Sequence, residues 1–585
     1  MRKYLFLVLS FLLIAGSADA ASVGEKRTFN IDPSYDVIDR KEVYGVLQKI
    51  GSRAYYYIDD NWWETLNYTE QANVKSALTS LSEEFDNNIY PKVTEEFGYE
   101  PKPGIDGDNK TTILLHPMKD SYAGYYNSGN QYTKIQNPKS NEREMIYLGS
   151  DFLSDSRVKS FLAHEFLHLI TFNQKEKIHN IAEEVWLNEA RADYIPTFLG
   201  YDDNYQRSNL KNRVDLFYNN PNDSLTEWQG KNHDYGVANL FIQYLVDHYG
   251  VAILSDSLKL DSVGIESINL ALEQNGFDVV FSEIFTDWTI ASLVNNCSLG
   301  EKYCYKNPRL TDFRINSVLN FLPLNGESVL AVSQNAKNWE TNWIKVVGGS
   351  GTIQIDFIGN PSNKFEVPYV ILDKSGNYLI KSFHLDNDQK GQIVIDGFGS
   401  SVNSLIMIPS IQTKMSGFSN NEESIPFFWQ ASVIKQAPIA EDHADQEPRE
   451  EPEEETDQLT KEQLMSQIEQ LQALVRQLVA QLAALTSATD QPKTTNSSAC
   501  PAISVNLSFG EKNDSVVCLQ EFLKSRGPDI YPEGLVTGYF GNLTKSAVIR
   551  FQEKYANDIL APFGLIAGNG FVGPKTREKI NQLLK

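Results

Sequence analysis

The sequence predicts a multidomain chain: a mixed α+β domain, an all-β sandwich, a coiled-coil or stalk helix, and a small three-helix module at the C-terminus. Three observations predict it. Its 585 residues are more than one hydrophobic core organises. Apolar periodicity changes from helix-like to strand-like near residue 317 and becomes heptad-like beyond residue 457. Two polar stretches, 438–457 and 487–499, separate the last pieces. Hydrophobic residues make up 41% and charged residues 22%, which excludes a mainly disordered or multi-spanning chain. Lys and Arg number 52 against 76 Asp and Glu, a net charge of −24. Such a surface repels phosphate backbones and no basic patch offsets it, so nucleic acid is excluded as a partner.

The chain opens with Met1-Arg2-Lys3, runs apolar over 4–15, and offers Ala18-Asp19-Ala20. These are the parts of a signal peptide over 1–20, too short for a spanning helix of about 20 apolar residues. The expected product starts at Ala21, has no membrane span after cleavage, and is secreted, extracellular or cell-wall associated. Four cysteines suit an oxidising compartment, and proximity pairs Cys297 with Cys304 and Cys500 with Cys518.

Residues 21–316 form the first expected domain. Short strands read at 111–116 and 145–148, and helices at 156–172, 182–199, 235–248 and 281–294. From 317 to 437, runs such as 352–357, 369–372 and 392–395 are punctuated by Gly, Asn, Ser and Asp, the pattern of a sandwich. The stretch 438–457 is acidic and rich in proline, so it buries no core. In 458–486, Leu464, Ile468, Leu471, Val475, Leu478, Leu482 and Leu485 recur as a heptad seam, after a capping box at Thr460 and Gln463. A parallel homodimer and a lone stalk helix both fit that seam. A Ser/Thr-rich linker covers 487–499, and 500–585 is the last module.

The chemistry concentrates in His164-Glu165-Phe166-Leu167-His168, an HExxH pattern on a predicted helix. Residues four apart share a face, so both imidazoles converge on one ion while Glu165 reaches its water as general base. With eight histidines in the chain, chance supplies this pattern only about 0.006 times. Downstream, Trp186-Leu187-Asn188-Glu189 is again helical. Glu189 is the candidate third ligand, leaving one position open as catalytic zinc requires. Asp193, one turn on, is placed to orient a ligand imidazole. Glu183 and Glu184 are rival carboxylates that read as a solvated helix start.

Here the chain resembles the gluzincin metallopeptidases. WLNE is similar to the aminopeptidase-like branch, and Asn188-Glu189 with Asp193 to the thermolysin branch. The resemblance implies His164, His168 and Glu189 as ligands of one zinc ion and Glu165 as catalytic base. It also implies a zincin fold, in which a strand such as 145–148 aligns the substrate above the HExxH helix. Twenty residues separate His168 from Glu189, more than is usual, and Ala190 replaces the glycine common after WLNE. A zinc peptidase also needs a donor for the developing oxyanion. Asn232-His233-Asp234-Tyr235-Gly236, followed by a helix, resembles the hyicolysin-like secreted gluzincins, loosely over 111–294. That resemblance points to Tyr235 as the donor, with His233 the second choice. His116, His179, His248, His384 and His443 lack partners at ligand spacing and read as structural or solvated. Asp106-Gly107-Asp108-Asn109 hints at calcium, but two acids without a downstream Glu read better as a turn.

Residues 507–585 resemble a small peptidoglycan-binding domain. The resemblance rests on 514–523, Gly538-Tyr539-Phe540-Gly541 with Thr544, 547–552 and 572–577. Leu519, Phe522, Leu523, Val548 and Phe551 fall at helical spacing and should be core, whereas Gly538 and Gly541 mark turns beside an exposed Tyr539. The leading expectation is a secreted zinc metalloendopeptidase acting on proteins and tethered to the bacterial wall. The alternatives are a hydrolase of peptidoglycan cross-links and a non-catalytic wall adhesion or scaffold protein.

Overall fold

The structure is a computed structural model that describes residues 21–119, 122–322, 328–434, 503–507, 511–532, 534–561, 568 and 570–584. The expected signal peptide, the linkers at 438–457 and 487–499, the heptad helix at 458–486, His443 and Cys500 lie outside the described residues. The chain is multidomain and divides into two compact units, 1–442 and 443–585.

A six-stranded sheet anchors the first unit. Its strands are β1 (Lys26–Asn30), β2 (Glu42–Ile50), β3 (Ala54–Asp59), β4 (Thr111–His116), β5 (Gly124–Tyr126) and β6 (Met145–Gly149), in the order β1-β2-β3-β4-β6-β5. β3, β4 and β6 run parallel, while β5 closes one edge antiparallel to β6. β4 is buried along its whole length because both faces are covered. Ile113 and Leu115 point into the helical core, and Leu114 packs with Phe29, Leu47 and Tyr147 on the other face. Half of the sheet comes from residues 26–59, so this early stretch is part of the folded core.

The helices are α1 (Asp60–Thr65), α2 (Tyr68–Glu84), α3 (Tyr90–Phe97), α4 (Val158–Thr171), α5 (Val185–Phe198), α6 (Asn209–Asn219), α7 (Asn232–Tyr249), α8 (Ala252–Lys259), α9 (Gly264–Gln274) and α10 (Phe281–Val294). α4 is apolar on most sides, as a central helix must be: Leu162, Ala163, Phe166, Leu167, Leu169 and Ile170 are all buried. α5 starts at Val185 rather than at 182. Glu183 is drawn out of the helix by Arg191 and by the backbone N–H of Gly264, and Glu184 is extended at the N-cap. Both carboxylates are therefore partnered inside the protein, against the expectation of a solvated helix start. A Cβ on Gly236 would lie 2.7 Å from the backbone nitrogen of Phe217, so glycine is what lets α7 close onto α6.

Residues 318–434 form two main groups of strands, beside a short separate pair of Phe365–Glu366 with Ser410–Ile411. Tyr378–Ser382, Pro368–Asp373, Val402–Met407, Ile344–Gly348 and Val318–Leu322 follow one another in the first. Lys390–Phe398, Gly351–Ile358, Ile425–Ile434 and Val329–Ala336 make the second. A single backbone pair, Phe398 with Val402, joins them, and both groups send side chains into one core. Trp339, Trp343, Val370, Ile406 and Ile408 belong instead to the helical core, which welds these strands to the helices as one unit. Trp343 donates its indole N–H to the Thr289 carbonyl of α10 at 3.0 Å. Cys297 and Cys304 are disulfide-bonded, and Cys518 is also oxidised.

The second unit contains α11 (Asp514–Ser525), α12 (Asn542–Lys554), the short α13 (Ala556–Ile559) and α14 (Pro574–Leu583). Leu519, Phe522, Leu523, Val548 and Phe551 are buried together, while Tyr539 is exposed beside Gly538 at φ 71°.

Replacing Gly236 with alanine should lower stability by about 1–3 kcal/mol, the usual cost of overpacking. Urea unfolding of parent and variant checks it, and an unchanged midpoint would show that α6 and α7 are not held this closely.

Candidate metal centre

α4 turns His164, Glu165 and His168 towards α5. The two imidazoles bring their Nε2 atoms to 3.1 Å from each other, and Glu189 Oε2 lies 3.3 Å and 3.7 Å from them. Glu189 Oε2 is buried and accepts no hydrogen bond. Two ring nitrogens and an orphaned carboxylate oxygen thus face one point, which fits a divalent cation bound by two His and one Glu.

His168 is oriented by Asn188, whose Oδ1 is 3.0 Å from His168 Nδ1. With Nδ1–H donating to that amide oxygen, Nε2 is left as the free acceptor. Asp193 does not play this part for His164, since its Oδ1 is 3.9 Å from His164 Nδ1. Its oxygens are taken by Arg213 at 2.7–3.0 Å, Asn209 at 3.0 Å and Asn239 at 2.8 Å.

Burial raises the Glu165 carboxyl to about 7. Burial would raise Glu189 as well, but the imidazoles of His168 and His164 and a hydrogen bond from Tyr235 outweigh it and hold the carboxyl at about 2. His164 is buried, yet the facing Glu189 carboxylate and the nearby charges of Glu165 and Asp193 keep it above its ordinary value. Burial dominates at His168 and lowers it.

A cleft of about 380 Å³ opens on this group. Gly124, His164, Glu165, Arg213 and Tyr235 line it, together with Phe152, Arg157 and Phe161. Burial and the Glu189 charge push the Tyr235 hydroxyl well above its ordinary value, and the Arg213 guanidinium lies 4.5 Å over its ring. His233 is not among the lining residues. Its Nε2 faces Asp234 at 3.6 Å and Asp223 at 3.9 Å.

The strand expected to align a substrate, 145–148, is interior. β5 covers it, and the strand beside the cleft is β5 itself. A Cβ on Gly124 would meet the Tyr147 carbonyl oxygen at 2.9 Å and Glu165 Cγ at 3.3 Å, so β5 passes directly over the HExxH helix.

The remaining histidines are placed as structural groups. His116 Nδ1 is 3.2 Å from Asp36, His179 meets the Lys259 carbonyl and His248 that of Cys304, while His384 is exposed. The Asp106–Asn109 stretch is a turn, with Asp106 paired to Arg143 and Asp108 accepting from Tyr55. In the sequence Asn188 carries no role of its own, and His233, the second-choice oxyanion donor, is not grouped with Asp223 and Asp234. The first was hidden in plain view beside Glu189. That group joins residues ten positions apart that only a loop brings together.

Against known proteins, the chain is 32% identical over 210 residues to the neutral metalloprotease ShpI of Staphylococcus hyicus. The chain is similar to a metalloprotease. The match takes in 32% of this chain and 44% of the relative, so the chain spans less than half of that protein's length. Such a relative implies a metal. Residues 512–556 match the family described as a putative peptidoglycan binding domain. The resemblances to metallopeptidases and to peptidoglycan-binding modules are thus both supported by known proteins. Among solved structures, the pre-peptidase C-terminal domain of a Bacillus anthracis collagenase aligns at 11% identity over 20% of this chain and 96% of its own, with a TM-score of 0.14. Aeromonas hydrophila PliG, a periplasmic inhibitor of g-type lysozyme, aligns at 14% identity over 20% and 100%, also at 0.14. Scores this low carry no argument about this fold.

Metal binding here competes with protons for the His164 imidazole, whose proton affinity its acidic neighbours raise. Zinc affinity, measured by competition with a chromophoric chelator, should fall about tenfold per unit as pH drops below the His164 titration. An affinity that does not change between about pH 8 and 5 would contradict metal binding through these imidazoles.

Proposed function

We propose that the chain is a secreted zinc metalloendopeptidase that hydrolyses peptide bonds in proteins and is tethered to the bacterial cell wall by its C-terminal module. The observation that carries this reading is the meeting of His164 Nε2, His168 Nε2 and the orphaned Glu189 Oε2 beside a buried Glu165. A zincin-type assignment of the first part is supported by a sheet edge lying over the HExxH helix. A sandwich-type assignment of 318–434 is supported by two strand groups that share a core. Secretion is supported by the Cys297–Cys304 bridge and by the leader-like residues 1–20.

His164, His168 and Glu189 would hold the ion, and Asn188 fixes the ring of His168. A bound zinc ion supplies Lewis-acid activation of water and of the scissile carbonyl. Glu165, held near neutrality, takes the proton from the attacking water and passes it to the leaving amine. Tyr235 donates a hydrogen bond to the carbonyl oxygen as negative charge grows there. The outer edge of β5 offers backbone groups along which an extended peptide lies as an added strand.

Casein hydrolysis by the full chain, with metal analysis of the same sample, tests this. Chelation should abolish cleavage, and Glu165→Gln should lower it by about 10²–10⁴-fold while zinc content stays unchanged. Tyr235→Phe should lower kcat by about 10²–10³-fold with little change in KM. Cleavage that survives chelation would sink the reading. The match at 512–556 favours one rival, a hydrolase of peptidoglycan cross-links. Release of muropeptides from purified sacculi without casein cleavage would put that activity in its place. In a pelleting assay with sacculi, Tyr539→Ala should weaken binding of the full chain, and equal pelleting would remove Tyr539 from the wall contact.

A further inference from the structure

Apart from the HExxH site, one other group of His, Asp and Glu among the described residues converges closely enough to share an ion. Asp223, His233 and Asp234 each bring a ligand atom within 4.8 Å of the others. Asp223 lies in the loop after α6, and His233 and Asp234 lie in the first turn of α7.

The hydrogen bonding of this group is incomplete in a particular way. Asp234 is 1% exposed. Its Oδ2 is fully used, accepting from the backbone N–H groups of Gln229 and Lys231 at 2.9 Å each. Its Oδ1 is buried and accepts no hydrogen bond, and neither does Asp223 Oδ2. His233 Nε2 stands 3.6 Å from Asp234 Oδ1 and 3.9 Å from Asp223 Oδ1, too far for hydrogen bonds. Ligand atoms about 2.1 Å from one tetrahedral ion stand about 3.4 Å apart, close to these separations. Among the described residues, neither carboxylate forms an ion pair with a lysine or arginine. Two facing carboxylates, one buried and one half-buried, favour positive charge between them.

We propose that Asp223, His233 and Asp234 bind a second divalent cation of the zinc or manganese type. An imidazole in the set and only two carboxylates favour such an ion over calcium, which takes six to eight oxygens. The cation clamps the loop after α6 to the start of α7, one residue before Tyr235, and so fixes the helix turn that carries Tyr235 into the cleft. The proposal does not depend on the peptidase reading.

The test is zinc stoichiometry of the full chain after loading with excess zinc and desalting, with thermal unfolding in parallel. The parent should hold two zinc ions per chain. Asp223→Asn and His233→Ala should each hold one and lose the rise in Tm produced by the second equivalent. A His164→Ala, His168→Ala double variant should also hold one, and a chain carrying all four substitutions none. If Asp223→Asn and His233→Ala keep the parent's stoichiometry while the double variant loses one ion, the second site is overturned and the first stands. If the reverse holds, the HExxH reading fails and this one stands. Calcium, but not zinc or manganese, raising the Tm of the parent and not of Asp223→Asn would overturn the ligand class. The two single variants lie on different segments, and circular dichroism matching the parent identifies which of them folds and can be scored.

Discussion

Asp193 is a carboxylate with 1% of its surface exposed, and its two oxygens receive hydrogen bonds from three side chains on two other helices. Arg213 and Asn209 reach it from α6, and Asn239 reaches it from α7. Taking such a charge out of water costs several kcal/mol, and the pair with Arg213 offsets this only because the remaining bonds are also made. Breaking a pair of this kind typically costs about 3–5 kcal/mol. The anchor therefore does more than hold a helix. Glu189 sits one turn before Asp193 on α5, Tyr235 one turn before Asn239 on α7, and the same Arg213 stacks on the Tyr235 ring. The Glu189 carboxylate and the hydroxyl in the cleft are located by one buried charge.

Around that anchor, two neighbouring carboxylates are driven in opposite directions. At Glu165 burial outweighs the pull of the neighbouring His164 and raises the carboxyl to about 7, whereas Glu189 faces both imidazoles and is held at about 2. One is suited to exchange a proton near neutrality and the other to stay ionised as a ligand. The separation arises from placement alone, since both are glutamates in one cleft. β5 completes the enclosure, and the lack of a side chain at Gly124 lets the sheet edge approach Glu165.

Much of this was legible in the residues, for reasons that differ from site to site. The HExxH helix was readable because its two histidines and its apolar positions obey the same period, so local pattern and burial agree. The helices at 281–294 and around 235–248 were readable for the same reason. What was missed depends on pairing rather than on period. Strand 145–148 reads as an edge until β5, only three residues long, is seen to cover it. Glu183 reads as solvated until Arg191 and Gly264 are seen to claim it. Asn188, for which no part was expected, reaches the His168 imidazole while Asp193 stands 3.9 Å from that of His164, because helix rotation, which the sequence leaves open, decides the reach.

The second unit shows the same limit from the other side. Its first motif places Gln520 so that its amide oxygen accepts from Thr537 and Gly538, while its nitrogen donates to the Tyr539 carbonyl and the Thr544 hydroxyl. Thirty-two residues later, Gln552 accepts from Gly570 and donates to the Phe571 carbonyl and the Thr576 hydroxyl. Gly538 and Gly570 both take positive φ, 71° and 75°, where a side chain would be strained. The peptidoglycan-binding match stops at 556, so it covers the first copy and only the start of the second. As strings, the two copies share little beyond Gln, Gly and Thr at fixed offsets, yet a buried amide locks each turn in the same way. Each turn thereby holds one aromatic side chain out in solvent, Tyr539 at 45% and Phe571 at 41% exposure, on a backbone that cannot relax to bury it. The exposure of these rings is thus a property of the buried glutamines beneath them, not of the loops on which they sit.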